Sequence, residues 1–161
     1  MRRAVAVTIA AAAGLAAAPS GAAAGSVGTI VIPRIALRAP IYANVSSRSL
    51  ARGPGHLPET GLPGAGRTIA LAGHRTTHTH PFRWLNRLRR GDAIRVRTRR
   101  PGRDGRLLHE YRVTGIRVVR PWATWLIGDT GSERLVLSAC TPPGSAKYRL
   151  VVIARPLAGL A

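Results

Sequence analysis

Short apolar runs punctuated by glycine and proline predict an all-β barrel or sandwich for this 161-residue chain. Helical periodicity is scarce, and no internal repeat breaks the pattern. The first strand reads over 28–33 and the second over 35–42. Ser46 can cap a short helix over 46–52. A third strand is expected over 67–73, ending at Gly73. Pro81 through Arg90 suggests a second short helix, with Pro81 near its first position and Gly91 just past its end. Trp84, Leu85 and Leu88 would give that helix an apolar stripe for core packing. Strands follow over 93–99, 107–120 (long enough for two), 134–140 and 148–155.

Length bounds the organisation. Residues 26–161 suffice for one domain with one core, and not for two. Residues 1–25 have the layout of an export signal: Met1-Arg2-Arg3, then an uncharged stretch from Ala4 to Pro33, with small residues around Ala22-Ala23-Ala24. The apolar part from Ala4 to Ala18 is alanine-rich and shorter than the ~20 residues that comfortably cross a bilayer. Both a cleaved leader and a retained anchor fit this segment. An anchor with Arg2-Arg3 inside would hold the domain on the outer face of the membrane.

The chain has a single cysteine, Cys140, at the end of the run Leu135-Val136-Leu137-Ser138-Ala139. A lone thiol in an exported chain has no disulfide partner, so it is either an inert core residue or a reactive nucleophile. Arg149 opens the next apolar run, after the turn-rich segment Thr141 to Lys147. If the two runs pair antiparallel, cysteine and arginine face each other across roughly 5 Å. A guanidinium there can stabilise a thiolate, or the oxyanion that forms when the thiolate attacks a carbonyl. A proton carrier is also needed. Of the five histidines, His74 is the best placed, because Thr68 to Gly73 delivers it at a strand end.

These residues resemble the sortases, cysteine transpeptidases of Gram-positive cell surfaces. The resemblance runs from about Gly28 to Arg155 and rests on four motifs in order. They are Gly28 to Ile35, Gly53-Pro54-Gly55-His56 leading to Leu62-Pro63-Gly64, Ala72-Gly73-His74-Arg75-Thr76-Thr77 with Pro81-Phe82, and the cysteine strand followed by Tyr148-Arg149-Leu150-Val151-Val152. The pattern looks most like class E, or the neighbouring class D, of actinobacterial type. The resemblance implies a sortase-type eight-stranded β-barrel with one or two short helices, and catalytic roles for Cys140, His74 and Arg149.

The implied reaction is cleavage of a Leu-Pro-x-Thr-Gly or Leu-Ala-x-Thr-Gly sorting signal between threonine and glycine. A thioacyl intermediate on Cys140 would then pass to an amine of the cell wall or of a pilin, with His74 as general acid and base. Two features depart from the family. Ala139 stands where threonine commonly precedes the cysteine, and the loop Arg75-Thr76-Thr77-His78-Thr79-His80 carries a histidine pair. The internal string Leu57-Pro58-Glu59-Thr60-Gly61 spells a sorting signal, yet it lacks the apolar span and basic tail that follow a true one, so it reads as a structural loop.

The net charge of +19 raises nucleic-acid binding as a rival function. Only 4% of residues are aromatic, which leaves no stacking platform for single strands, and the arginines are spread along the whole chain. The charge suits anionic lipid headgroups or wall polymers better. A basic exported binding module with a structural cysteine is the second rival. Papain-like peptidases and L,D-transpeptidases fail on residue order and spacing. His74, His78 and His80 have no acid beside them, and the six acids do not cluster in sequence, so no metal or other cofactor is expected.

Overall fold

The computed structural model describes residues 25–157. The expected export segment therefore lies outside the described residues, apart from Gly25. Eight strands close into a barrel: β1 (Ser26–Ile32), β2 (Leu37–Tyr42), β3 (Gly55–His56), β4 (Thr68–Ala72), β5 (Ala93–Thr98), β6 (Leu108–Val119), β7 (Arg134–Thr141) and β8 (Tyr148–Pro156). Their order around the barrel is β1-β2-β3-β4-β7-β8-β6-β5, with β5 returning to β1. Closure removes the unpaired edges that an open sheet would expose. Alternate residues fill the interior: Ile30 and Ile32, Ile69 and Leu71, Leu135 and Leu137, Leu150 and Val152.

The strand count matches the expectation, although two of its members differ. The segment expected to split into two strands is one continuous strand, β6, kinked where its register against β8 shifts between Val113 and Gly115. Such a bulge bends a strand without ending it. The eighth member is instead the two-residue β3, too short to leave a periodic signal. The helix over 46–52 is present as α1 (Ser47–Arg52), with the Ser46 hydroxyl accepting from Ser49 N–H at 3.3 Å.

The expected helix over Pro81–Arg90 is not formed. Only Leu85–Arg87 makes a 3₁₀ turn, and the bonds Leu85 N–H to Phe82 O, Arg87 N–H to Trp84 O and Leu88 N–H to Leu85 O all span three residues. A three-residue period puts Phe82, Leu85 and Leu88 in one straight line, and all three are buried in the barrel cluster. Trp84 falls off that line and is exposed, with the Arg87 guanidinium 3.8 Å from its ring centroid. The tighter winding thus exchanges the expected Trp84 stripe for one headed by Phe82.

One partly buried polar cluster pins the approach to β7. Glu133 accepts from the Tyr111 hydroxyl at 2.7 Å, from Gly64 N–H at 3.1 Å and from Gly66 N–H at 2.9 Å. Gly64 and Gly66 have φ of 80° and 71°, the left-handed region that favours glycine. Burial, and then the bond to Glu133, push the Tyr111 phenol far above its ordinary value, so it remains a neutral donor. Glu133→Ala strands these donors. The expected loss is about 2–3 kcal/mol of unfolding free energy, read from the denaturant midpoint of the purified chain.

Candidate active site

β4 and β7 run parallel, in register from Thr68↔Arg134 to Ala72↔Ser138, and β8 lies antiparallel on the other side of β7. Side chains alternate between the two faces of this three-stranded surface. Leu135, Leu137 and Ala139 belong to the barrel interior, whereas Val136 packs with Ala70 and Val151 in a separate outer cluster. Leu126, Ala123 and Ile127 cover that cluster from the β6–β7 connection. By the same alternation Ser138 and Cys140 face outward. Cys140 is half-buried and stands outside both apolar clusters, which disfavours an inert core thiol.

Cys140 is the direct cross-strand partner of Arg149, as the sequence predicted. The Arg149 guanidinium donates to Ala146 O at 2.9 Å and Tyr148 O at 3.1 Å, so the β7–β8 loop holds it. Among the described residues no carboxylate pairs with it, which leaves its charge free for an incoming group. On the other side of β7, Gly73 N–H bonds Ser138 O at 3.0 Å, carrying the parallel pairing past Ala72. Past the last register pair, Ala72↔Ser138, the two segments stay side by side, since Arg75, the residue after His74, donates to Thr141 Oγ1, the residue after Cys140, at 2.7 Å. Adjacent strands lie roughly 4.8 Å apart. His74 follows β4 by two residues, while Cys140 and Arg149 stand on β7 and β8.

Gly73 is needed beside His74. A Cβ there would come within 2.6 Å of the Phe82 ring, which is fully buried. Phe82 N–H also bonds His74 O at 3.1 Å, tying the histidine backbone to the 3₁₀ segment. His78, at φ 54°, brings its ring to 4.9 Å from that of His74. Desolvation, and then the nearby His78 charge, lower the His74 pKa below its ordinary 6.5, so the imidazole is neutral at pH 7. Removing that like charge raises the value. His78→Ala is therefore expected to move the acid limb of the kcat/KM profile upward, still short of 6.5 because burial remains.

Reasoning from sequence gave no role to Arg75. It is 8% exposed and donates to Thr141 Oγ1 at 2.7 Å, Asn86 Oδ1 at 3.0 Å and Arg83 O at 3.4 Å. The only signal available was an arginine directly after the histidine, indistinguishable in sequence from the many surface arginines.

The internal signal-like string is a structural loop, as expected. Thr60 Oγ1 donates to Leu57 O at 2.7 Å and accepts from Ala70 N–H at 3.0 Å. Gly61 is buried, its N–H on Thr68 O at 2.7 Å and its carbonyl on the His56 ring at 2.8 Å. Its Thr-Gly peptide is locked away from any nucleophile. Among the described residues no group of three His, Cys, Asp or Glu side chains is arranged to hold a metal. An apolar cavity of about 420 Å³, lined by Val27, Ile69, Val96 and Leu135, lies at the other end of the barrel. Leu71, also in its lining, pairs with Leu137, three residues before Cys140, so roughly 10 Å of strand at ~3.3 Å per residue lies between this cavity and the thiol.

A family model described as the sortase domain matches residues 30–157. The chain is 36% identical over 132 residues to sortase SrtE1 of Streptomyces coelicolor, an alignment that takes in 75% of this chain. It spans only 37% of that relative's length. A structure of SrtE1 holding a tripeptide in its active site superposes with a TM-score of 0.73 at 30% identity, covering 82% of this chain and 88% of the other. Sortase C-1 of Actinomyces oris gives 0.75 at 33% identity, covering 84% and 76%. A barrel of this topology, matched by a domain model over most of its described length, leaves one assignment: the chain belongs to the sortase family.

Proposed function

We propose that this chain is a cysteine transpeptidase that acts on sorting-signal proteins, with Cys140 as nucleophile, His74 as proton carrier and Arg149 as the electrostatic element. The observation that supports the reading is the pairing of Cys140 with Arg149 on β7 and β8, beside the segment that carries His74 just past β4. A neutral His74 takes the thiol proton as Cys140 Sγ attacks the threonine carbonyl. Arg149 balances the oxyanion that develops there. The carbon–nitrogen bond to glycine then breaks, the imidazolium hands its proton to the leaving amine, and a thioester stays on Cys140. An incoming amine attacks the thioester, forming a new amide while sulfur leaves, and His74 collects the amine's proton. Water is the slower default acceptor.

The substrate class is a Leu-Pro-x-Thr-Gly or Leu-Ala-x-Thr-Gly signal, and the acceptor is an amine of the cell wall or a pilin. Members of the family are typically exported and associated with the cell surface. Residues 1–25 are proposed as the export signal or anchor that puts this domain there. Among the described residues no helix is long and apolar enough to cross a membrane. The test incubates the full chain with signal peptides differing only in Pro or Ala at the second position, plus an amine acceptor. Intact mass should reveal a threonyl thioester on Cys140 that the amine discharges. Intact peptides and an unmodified thiol with both sequences would overturn the assignment.

A further inference from the structure

We propose that Arg75 is a positioning residue that sets the height of His74 against Cys140. The inference rests on the transpeptidase reading above and extends it to a residue that touches no substrate. The parallel β4–β7 ladder leads one segment to His74 and the other to Cys140, and it is braced at both ends by an arginine–threonine bond. At the start, Arg134 Nε donates to Thr68 Oγ1 at 3.1 Å, between directly paired residues. At the far end, past the final register pair Ala72↔Ser138, Arg75 donates to Thr141 Oγ1 at 2.7 Å.

The second brace lies one residue past the chemistry. Cys140 faces outward by strand alternation, and His74 is half-buried. Arg75 and Thr141 are each the next residue in their own segment. One hydrogen bond therefore links the residue after the proton carrier to the residue after the nucleophile. Its other donors reach Asn86 Oδ1 and Arg83 O, so the same guanidinium also ties the 3₁₀ segment to the ladder.

Burying a cation is costly unless every donor finds an acceptor. The acceptors here are a hydroxyl, an amide and a carbonyl, and among the described residues no carboxylate pairs with Arg75. An apolar residue would fill the barrel end without that penalty. What the guanidinium adds is direction, since its planar fork fixes three segments at once. The last backbone tie before His74 is Gly73 N–H to Ser138 O, so the distance between imidazole and sulfur depends on what holds residues 74–75 against 140–141.

Thr141→Val tests this with the least disturbance, because it keeps the shape and removes only the acceptor. Misplacing a catalytic group by about 1 Å can cost ~100-fold in rate. The expected result is a fall in kcat of about 10- to 100-fold with KM within about twofold, measured well below the unfolding temperature. Thr141→Ser keeps the acceptor and should restore kcat. Arg75→Met should lower kcat at least as far, and the double variant Arg75→Met/Thr141→Val no further than Arg75→Met alone. Alkylation of Cys140 by iodoacetamide, which needs no aligned histidine, should proceed at the wild-type rate in Thr141→Val. Wild-type kcat in Thr141→Val, or equal impairment in Thr141→Ser, would overturn the proposal. Cys140→Ala assayed in parallel separates the two readings. Turnover without the thiol removes the transpeptidase assignment itself, whereas a dead Cys140→Ala beside a fully active Thr141→Val removes only the role of Arg75.

Discussion

Cys140→Ala should reduce signal-peptide cleavage and transfer to the detection limit, a loss of about 10⁴-fold or more, with no thioester by intact mass. The fold should survive. Cys140 is half-buried and packs in neither apolar cluster, so the unfolding midpoint should stay within a few degrees of wild type. His74→Ala should approach the same floor, because residues acting as a unit in one step are far from additive. Arg149→Ala should lose about 10²- to 10³-fold, the usual cost of one oxyanion-stabilising group. The measurement is single-turnover cleavage alongside intact mass. Near-wild-type turnover in Cys140→Ala would refute the nucleophile and with it the proposed reaction.

Phe82→Ala should give the largest loss of stability of any single truncation considered, about 3–5 kcal/mol, and a fall in melting temperature of more than about 10 °C. The ring is fully buried among Leu85, Leu88 and the barrel interior, and Gly73 leaves room for it. Removing the ring opens a cavity beneath His74. The backbone tie from residue 82 to His74 O persists in name, but its support is gone. Activity should therefore fall at temperatures where the variant is still folded. Calorimetry and a kcat measurement at low temperature check both parts. An unchanged melting temperature would mean that the 3₁₀ segment does not seal the barrel end as described.

Net charge plays a smaller part than its size suggests. The ion pairs among the described residues lie mostly at the surface, such as Arg67 with Asp129 at 2.8 Å and Arg95 with Glu110 at 3.1 Å. Exposed pairs of this kind contribute about 0–1 kcal/mol each. The two buried arginines among the described residues, Arg75 and Arg134, are held instead by neutral oxygens, Thr141 and Thr68 of the β4–β7 ladder among them. Charge thus acts through placement at two points rather than through the total of +19.

Most strands were legible because their apolar runs have a length and punctuation that local chemistry dictates. Ser46 as a cap, Gly73 as the end of a strand and the Cys140–Arg149 facing pair all follow from residue type and spacing. Other features were not legible. β3 is two residues long and exists because Gly55 and His56 find Ala72 and Leu71 on β4 as partners. The Pro81–Arg90 segment has the ends of an α-helix, but the barrel mouth accepts Phe82, Leu85 and Leu88 in line, which only a three-residue period supplies.

The amino-acid order by itself determined the barrel class and the family, since these depend on local pattern and motif. It could not determine that the segment leading to His74 runs beside the Cys140 strand, because 66 residues separate the two and their approach depends on a parallel register formed by closing the barrel. Nor could it distinguish Arg75 from the other arginines. A side chain buried at the end of a ladder acquires its partners from segments distant in sequence, and those meet only when the tertiary structure is complete.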